Sequence, residues 1–264
     1  MNKILLTLSM LAITAGSSKA VLIVYEGFDY PQQTGLATQS GGTGWATPWD
    51  SNSWRTNSSG FGEISTGLTY STLTTVGQAA RNENNSNQSF RTFTPQGATG
   101  LATYWISFLI QKDLASGASS FGISLFNGPG SEQNFLGHAN SDNFSVAGQG
   151  ANNLGPLVTT TPSFFVARYD MTTNFAHFWI DPSLSGTPSD ASAFNGSGGT
   201  AFTDFTFNRI RLGKFDGNSG YLDEIRIGTA YGDVSPVPEP STYALLGLGA
   251  LVALLRMRSV KSLS

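Results

Sequence analysis

The stretch TYWISFLIQK, residues 103–112, decides the fold class of this chain. Its aromatic and branched apolar residues recur at every second position, which is the period of a β-strand. One face of the strand carries Tyr104, Ile106, Phe108 and Ile110, and the other carries Trp105, Ser107, Leu109 and Gln111. The spacing therefore predicts a β-strand with a strongly apolar face.

The same period continues on both sides of this stretch, in FGISLF, SFFVARYDM, NFAHFWI, FNRIRLG and YLDEIRIG. Turn-forming segments separate these runs, among them NGPGS, NGSGG and FDGNSG. Residues 21–235 contain no convincing amphipathic helix, and the polar segment 181–199 is predicted to be a long loop. Many short strands with regular turns predict an all-β antiparallel sandwich.

Composition supports a single β domain over residues 21–235. Charged residues make up 12% of the 264, and aromatic residues make up another 12%, enough to fill a core. The chain has no Cys, so its stability cannot depend on disulfides. Residues 21–235 hold nine Lys and Arg against sixteen Asp and Glu, a net charge of −7. This charge argues against binding to nucleic acid or to an anionic membrane surface.

The N-terminus, MNKILLTLSMLAITAGSSKA, has the three parts of a secretory signal peptide. Lys3 supplies the positive start, residues 4–15 form a short apolar run, and Ser18 and Ala20 occupy the −3 and −1 positions of a cleavage site. We predict a signal peptide over residues 1–20 that is cleaved after Ala20.

The C-terminus carries a second targeting segment, predicted over residues 236–261. Residues 243–255 form an uninterrupted apolar run of about 20 Å as a helix, a marginal single transmembrane helix. A basic tail over residues 256–261 follows, with Arg256, Arg258 and Lys261, and the positive-inside rule keeps it in the cytoplasm. Before the helix, Pro238 and Pro240 hold Glu239 on an extended segment.

The order of these parts resembles the PEP-CTERM sorting signal of Gram-negative bacteria that produce exopolysaccharide. The resemblance lies in VPEPST at residues 237–242, the short apolar helix and the Arg cluster. It implies an exported protein with an inner-membrane precursor that an exosortase reads at Pro238, Glu239 and Pro240. The product would then reach the cell surface or medium. An ordinary C-terminal anchor that contains Pro-Glu-Pro is the alternative.

The body resembles the concanavalin A-like lectin and glucanase jelly rolls. The opening YEGFDYP with GGTGW, the strand YWISFLI, the pair FVARYDM and NFAHFWIDP, and the ending GYLDEIRIGTAYGDV carry the resemblance. It implies that YWISFLI is a central strand and that YLDEIRIG is the final one. It implies no activity, because this fold hosts lectins, hydrolases and inert modules.

A hydrolytic site is not indicated. Glucanases of this fold place carboxylates two or four residues apart on one strand face, and no two carboxylates of the body have that spacing. Asp223 and Glu224 are adjacent and would point to opposite sides of a regular strand. His138 and His177 stand in no zinc or triad motif and are interpreted as structural.

Two weaker constellations are candidate binding sites. Trp45, Trp49 and Trp54 cluster in a polar loop where their rings could stack on sugars, or they could instead fill the sandwich core. Asp216, Asn218 and Asp223 offer oxygen ligands for Ca²⁺, although a plain hairpin explains the same residues. No other cofactor is expected.

The sequence thus favours an exported, non-enzymatic protein of the cell surface or extracellular matrix, with an exosortase as processing partner and an exopolysaccharide as candidate ligand. A purely structural surface module and a diverged glycan hydrolase are the alternatives.

Overall fold

The computed structural model describes residues 21–51, 53–56, 67–82, 88–97, 103–113, 119–138, 143–148, 151–157, 159–217 and 220–237. The predicted signal peptide, its cleavage motif up to Ala20, and the sorting segment from Pro238 onward lie outside these residues. Among the described residues, none belongs to a helix that is long and apolar enough to cross a membrane.

Fourteen β-strands account for nearly all the regular structure of the described residues. They are β1 Leu22–Glu26, β2 Trp54–Thr56, β3 Ala80–Asn82, β4 Gln88–Gly97, β5 Thr103–Lys112, β6 Ser119–Asn127, β7 Ser131–His138, β8 Asn143–Gly148, β9 Ala151–Leu157, β10 Ser163–Asp170, β11 Phe175–Ile180, β12 Thr200–Ala201, β13 Thr206–Gly217 and β14 Gly220–Gly228. A 3₁₀ turn at Asp190–Ser192 and a short helix, α1, at Tyr231–Val234 complete the fold.

The strands form two antiparallel sheets, as predicted. The eight-stranded sheet has the order β12-β11-β10-β5-β14-β3-β2, and β1 also pairs with β14. The six-stranded sheet has the order β4-β13-β6-β7-β8-β9. Strand β5, the stretch TYWISFLIQK, lies in the interior of the larger sheet between β10 and β14, which confirms its central position.

The core lies between the two sheets, and the side chains that fill it occupy the alternate strand positions that the sequence predicts. Tyr104, Ile106, Phe108 and Ile110 of β5 all point into it. From the six-stranded sheet, β6 and β13 contribute apolar side chains at alternate positions, such as Ile123 and Leu212. Alternation of this kind leaves the other side of each strand free to face outward.

The outer face of the eight-stranded sheet is also buried, because loops pack over it. Trp105 and Leu109 of β5 belong to a second apolar cluster, with Leu68 from the loop 67–79 and Tyr231 from α1. The loop 181–199 adds Leu184 and Ala193. The segment predicted to be a long loop therefore has a packing role, and this cluster of loops over the larger sheet is called the outer layer below.

Candidate functional site

The three tryptophans proposed for sugar stacking occupy different environments. Trp49 and Trp54 are 1% and 0% exposed, and both belong to the core cluster. The prediction that their rings could stack on a sugar needs correction, since core packing covers them. Trp45 is half-buried, with its indole N–H donating to the Tyr25 carbonyl at 2.9 Å. Trp49 and Trp54 instead fill the core, which was the alternative interpretation.

A buried ion pair fixes the loop that carries Trp45 and Trp49. Glu26 at the end of β1 and Arg91 of β4 are both buried and form a charge-assisted hydrogen bond. Glu26 also accepts hydrogen bonds from the Trp49 indole N–H at 3.0 Å and the Tyr30 hydroxyl at 2.9 Å. Arg91 Nε donates to the Thr47 carbonyl at 2.8 Å. Burial raises the pKa of Glu26, while the charge of Arg91 opposes that rise.

Beyond this loop, a pocket of about 500 Å³ opens at one end of the outer face of the six-stranded sheet. Its walls come from residues 47–50 of the loop that carries Trp45 and Trp49, from two outward positions of β4, from the turn between β6 and β7, and from the start of β13. The lining residues are Thr47, Pro48, Trp49, Asp50, Phe90, Thr92, Gly128, Pro129, Asn208 and Arg209.

An aromatic ring and a charged pair define the chemistry of this pocket. The Arg209 guanidinium carbon lies 3.8 Å from the centre of the Phe90 ring. Arg209 also pairs with the Asp50 carboxylate at 3.2 Å, and Asp50 accepts a hydrogen bond from the Phe90 backbone N–H at 2.8 Å. Asn208 accepts one from the Gly128 N–H at 2.8 Å, which holds the turn at the rim. The pocket thus joins an apolar ring to planar polar groups.

The same pairing of rings and guanidinium groups continues across the outer face of the six-stranded sheet. Arg211, two positions along β13 from Arg209, lies over the rings of Phe126 and Phe215, 4.9 Å and 4.8 Å from their centres. It pairs with Glu132 at 2.7 Å. Phe215 remains 37% exposed. Aromatic side chains are therefore accessible to solvent on this face, whereas the outer layer covers Trp105 and Trp179 on the corresponding face of the larger sheet.

Asp223 and Glu224, expected on opposite sides of a regular strand, both contact the loop 67–79. A bulge in β14 interrupts the pairing with β5 after Asp223, and Glu224 takes a left-handed backbone conformation with φ of 53°. Asp223 accepts a hydrogen bond from the Leu68 N–H at 2.8 Å, and Glu224 accepts one from the Val76 N–H at 2.6 Å. The bulge is the feature that the alternation of a regular strand could not reveal.

Both carboxylates are fully buried, and burial shifts the pKa of each in the same direction. Burial raises the pKa of Asp223 well above 3.8, and the neighbouring charge of Glu224 raises it further. Burial also raises the pKa of Glu224, against the effect of its ion pair with Arg226. Arg226 in turn donates to the Thr74 carbonyl at 2.8 Å. The cluster fastens the loop 67–79 to β14.

The candidate calcium ligands are not gathered into a described site. Asp223 lies in the eight-stranded sheet and Asp216 in the six-stranded sheet, while Asn218 lies outside the described residues. Where the structure describes the chain, it holds no group of three His, Asp or Glu that could bind a metal ion. Calcium binding at these residues stays a prediction.

Both histidines are buried among packing partners. His138 packs edge-on against Phe121, with ring centres 5.3 Å apart. His177 stacks on Trp179 and shares a hydrogen bond between its Nδ1 and Arg168 at 3.0 Å. Arg168 pairs with Asp190 of the loop 181–199 at 2.9 Å, so His177 helps hold the outer layer. These contacts agree with a structural interpretation.

The comparisons with known proteins find a family match at the C-terminus. The PEP-CTERM protein-sorting motif matches residues 236–259. This motif indicates an exported protein that an exosortase sorts, as found in Gram-negative bacteria. The two-sheet sandwich fits a jelly-roll body. No curated protein matches the chain significantly.

Solved structures share parts of the architecture at low similarity. A sialidase from Trypanosoma rangeli, in complex with 2,3-difluorosialic acid, is 7% identical with a TM-score of 0.46; the match covers 81% of this chain and 32% of that one. Domain 4 of AbnA, a GH43 extracellular arabinanase from Geobacillus stearothermophilus in complex with arabinotriose, is 14% identical with a TM-score of 0.44. This match covers 83% of this chain and 98% of that one. The chain spans about a third of the sialidase. Similarity at this level carries no argument about function.

Proposed function

We propose that the chain is an exported, non-enzymatic protein of the cell surface or extracellular matrix, with a concanavalin A-like body that binds polysaccharide. The binding site is the pocket that Phe90, Asp50 and Arg209 line on the outer face of the six-stranded sheet. The observation that carries the proposal is this pocket, because it combines an aromatic ring with convergent polar side chains on an open sheet face.

Sugar recognition uses that combination of groups. A pyranose ring presents an apolar face that packs on an aromatic side chain, and its hydroxyls need donors and acceptors nearby. Asp50 and Arg209 lie at the pocket wall and supply both kinds of group. The face continues past Arg211 to Phe215, so an extended chain of sugars has further aromatic contact beyond the pocket.

A neutral polysaccharide suits the charge of this face. Arg209 is paired with Asp50, and Arg211 is paired with Glu132, so neither guanidinium offers an unbalanced charge to an acidic sugar. The net charge of −7 over residues 21–235 repels polyanions at longer range.

The carboxylates support the non-enzymatic part of the proposal. Most glycoside hydrolases use two carboxyl groups on either side of the scissile bond, roughly 5 to 9.5 Å apart. Among the residues that line the pocket, Asp50 alone carries a carboxylate. Glu26, Asp223 and Glu224 are fully buried and engaged in the contacts described above.

Two phenylalanines allow a matched test of the binding site. Phe90 and Phe215 both point outward from the same sheet with a guanidinium over the ring, but only Phe90 lines the pocket. Loss of a stacking ring costs on the order of 1 kcal/mol or more, so Phe90→Ala should weaken binding about five- to tenfold. Phe215→Ala should change it less.

Affinity gel electrophoresis of the purified body, residues 21–237, against neutral polysaccharides measures this difference. A reducing-end assay on the same mixtures tests for hydrolysis. Unchanged affinity of Phe90→Ala, or a larger loss in Phe215→Ala than in Phe90→Ala, would contradict binding in the pocket. New reducing ends that depend on a single carboxylate would make the protein a hydrolase.

A structural surface module without a ligand is the second candidate, and one contact favours it. Arg209 already lies over the ring of Phe90 at 3.8 Å, so the ring has a packing partner within the protein. On this alternative, none of the polysaccharides retards the body in the gel.

The tail completes the proposed function. We propose that residues 243–255 anchor the precursor in the inner membrane and that an exosortase processes it at Pro238, Glu239 and Pro240. The processed protein then leaves the membrane for the cell surface or the medium.

A further inference from the structure

The last described residues before the sorting motif are firmly attached to the body. Ser107 of β5 donates a hydrogen bond from its hydroxyl to the Val234 carbonyl at 2.7 Å. The Thr74 N–H donates to the Pro236 carbonyl at 2.8 Å. Val234 and Ser235 are buried. The body therefore holds the chain up to Pro236, and only a short stretch separates it from the apolar run.

The chain leaves the body on the side of the outer layer. Helix α1 packs there, with Tyr231 against Trp105 at 5.3 Å between ring centres. Val237 borders a pocket with Leu184 and Thr187 of the loop 181–199. Because α1 packs on the outer face of the eight-stranded sheet, against Trp105 of β5, the exit point and the proposed polysaccharide site lie on opposite sides of the sandwich.

The remaining stretch is too short for the body to turn freely. Val237 and Tyr243 are six residues apart, a reach of at most about 20 Å when fully extended. The headgroup layer takes up roughly 5–8 Å of that distance. A domain of about 220 residues has a radius of gyration of about 17 Å and is about 45 Å across. A tether of about 15 Å cannot bring the far side of such a body to the membrane.

We infer that the outer layer around Val237 is the surface that faces the phospholipid headgroups in the membrane-held precursor, and that the six-stranded sheet faces away. The inference rests on the anchoring role proposed for the tail. Val76 and Val237, two of the large apolar residues that stay exposed, lie on this side at 47% and 36% exposure. The polysaccharide site is then accessible before the tail is processed.

The contact depends on the tether rather than on affinity for lipid. The negative charge of residues 21–235 disfavours lasting adhesion to anionic headgroups. Cutting the tail therefore releases the body without a further step.

The absence of Cys makes the orientation directly measurable. Thr187→Cys places one label beside Val237, and Thr94→Cys places one on an exposed position of β4, next to the inward-pointing Phe93. The precursor, purified from cells without exosortase, is reconstituted in phosphatidylethanolamine and phosphatidylglycerol vesicles that contain a nitroxide headgroup lipid. We expect the fluorophore at position 187 to lose most of its fluorescence and the one at position 94 to keep most of it.

Equal quenching at both positions, or stronger quenching at position 94, would overturn the inference while leaving the anchor intact. A precursor that does not float with the vesicles would refute the anchor and the inference together. Polysaccharide binding by the body is measured without lipid, so its success or failure is separate. Unchanged unfolding midpoints of the two labelled variants provide the control for folding.

Discussion

Replacing Arg91 with Met tests whether the buried ion pair holds the wall of the pocket. The substitution keeps an apolar stem of similar length but leaves Glu26 buried without its cation. Breaking a buried pair on one side costs about 3–5 kcal/mol, and the lost bond to the Thr47 carbonyl adds about 1 kcal/mol. Glu26 keeps its hydrogen bonds from Phe28, Tyr30 and Trp49, so we expect the lower end of this combined range, a total loss of about 4 kcal/mol near pH 7.

The loss should depend on pH with a definite sign. Burial raises the pKa of Glu26, and the charge of Arg91 opposes that rise. In the folded variant this opposing charge is gone, so the pKa of Glu26 is higher than in the wild type. A folded pKa above the unfolded value makes the folded state bind the proton more tightly, so stability is greatest at low pH and falls as pH rises towards the folded pKa. The difference between variant and wild type therefore shrinks on acidification, by up to about 1.4 kcal/mol per pH unit.

Urea unfolding followed by tryptophan fluorescence, near pH 7 and near pH 5, measures both effects. The double variant with Glu26→Gln and Arg91→Met removes the unpaired charge and should recover part of the loss. If Arg91→Met lies within about 0.5 kcal/mol of the wild type, as for an ordinary surface change, the ion pair does not stabilise this loop. A loss that does not shrink near pH 5 would refute the role assigned to Glu26.

Three further predictions concern the tail and β14. Glu239→Ala should leave membrane insertion intact but block processing by the exosortase. Immunoblots of cell fractions should then show the precursor in the inner membrane. Maturation of this variant at the wild-type rate would mean that the tail is only an anchor. Because burial raises the pKa of Asp223, the stability of the wild type should fall as pH rises from 3.8 towards the pKa of Asp223 in the folded state. Asp223→Asn should flatten this dependence of stability on pH in urea titrations. An unchanged slope would contradict a raised pKa of Asp223. Gly220→Ala adds a Cβ that would overlap the Phe121 ring and should cost about 1–3 kcal/mol, whereas Gly186→Ala meets open space and should be neutral. Equal unfolding midpoints for the two variants would contradict this packing.

The sheets could be predicted from sequence because their alternation survives in the structure. Residues 103–112 show it most clearly, since the face with Phe108 enters the core. The opposite face, with Trp105 and Leu109, is also buried, because a distant loop and α1 pack over it. A period of two does not show which segments far away in the chain will cover a strand.

The candidate site was only partly accessible to sequence reasoning. The loop that contains Trp45 and Trp49 does form one wall of the pocket, but Trp49 turns inward because Glu26 accepts its indole N–H. The sequence does not indicate the contact between Phe90 and Arg209, because it joins strands that are distant in the chain. The sequence alternates Phe90 with the polar Ser89 and Arg91, a pattern that would place the Phe90 ring inward; in the structure Ser89 and Arg91 are the buried residues instead.

A crystal structure of the body, residues 21–237, with the neutral oligosaccharide that binds best in the affinity gel tests the central claim most directly. The proposed function predicts an intact oligosaccharide in the pocket, with a sugar ring in contact with Phe90 and hydroxyls bonded to Asp50 or Arg209. An oligosaccharide bound on the outer layer of the eight-stranded sheet, or one cleaved at the pocket, would contradict it.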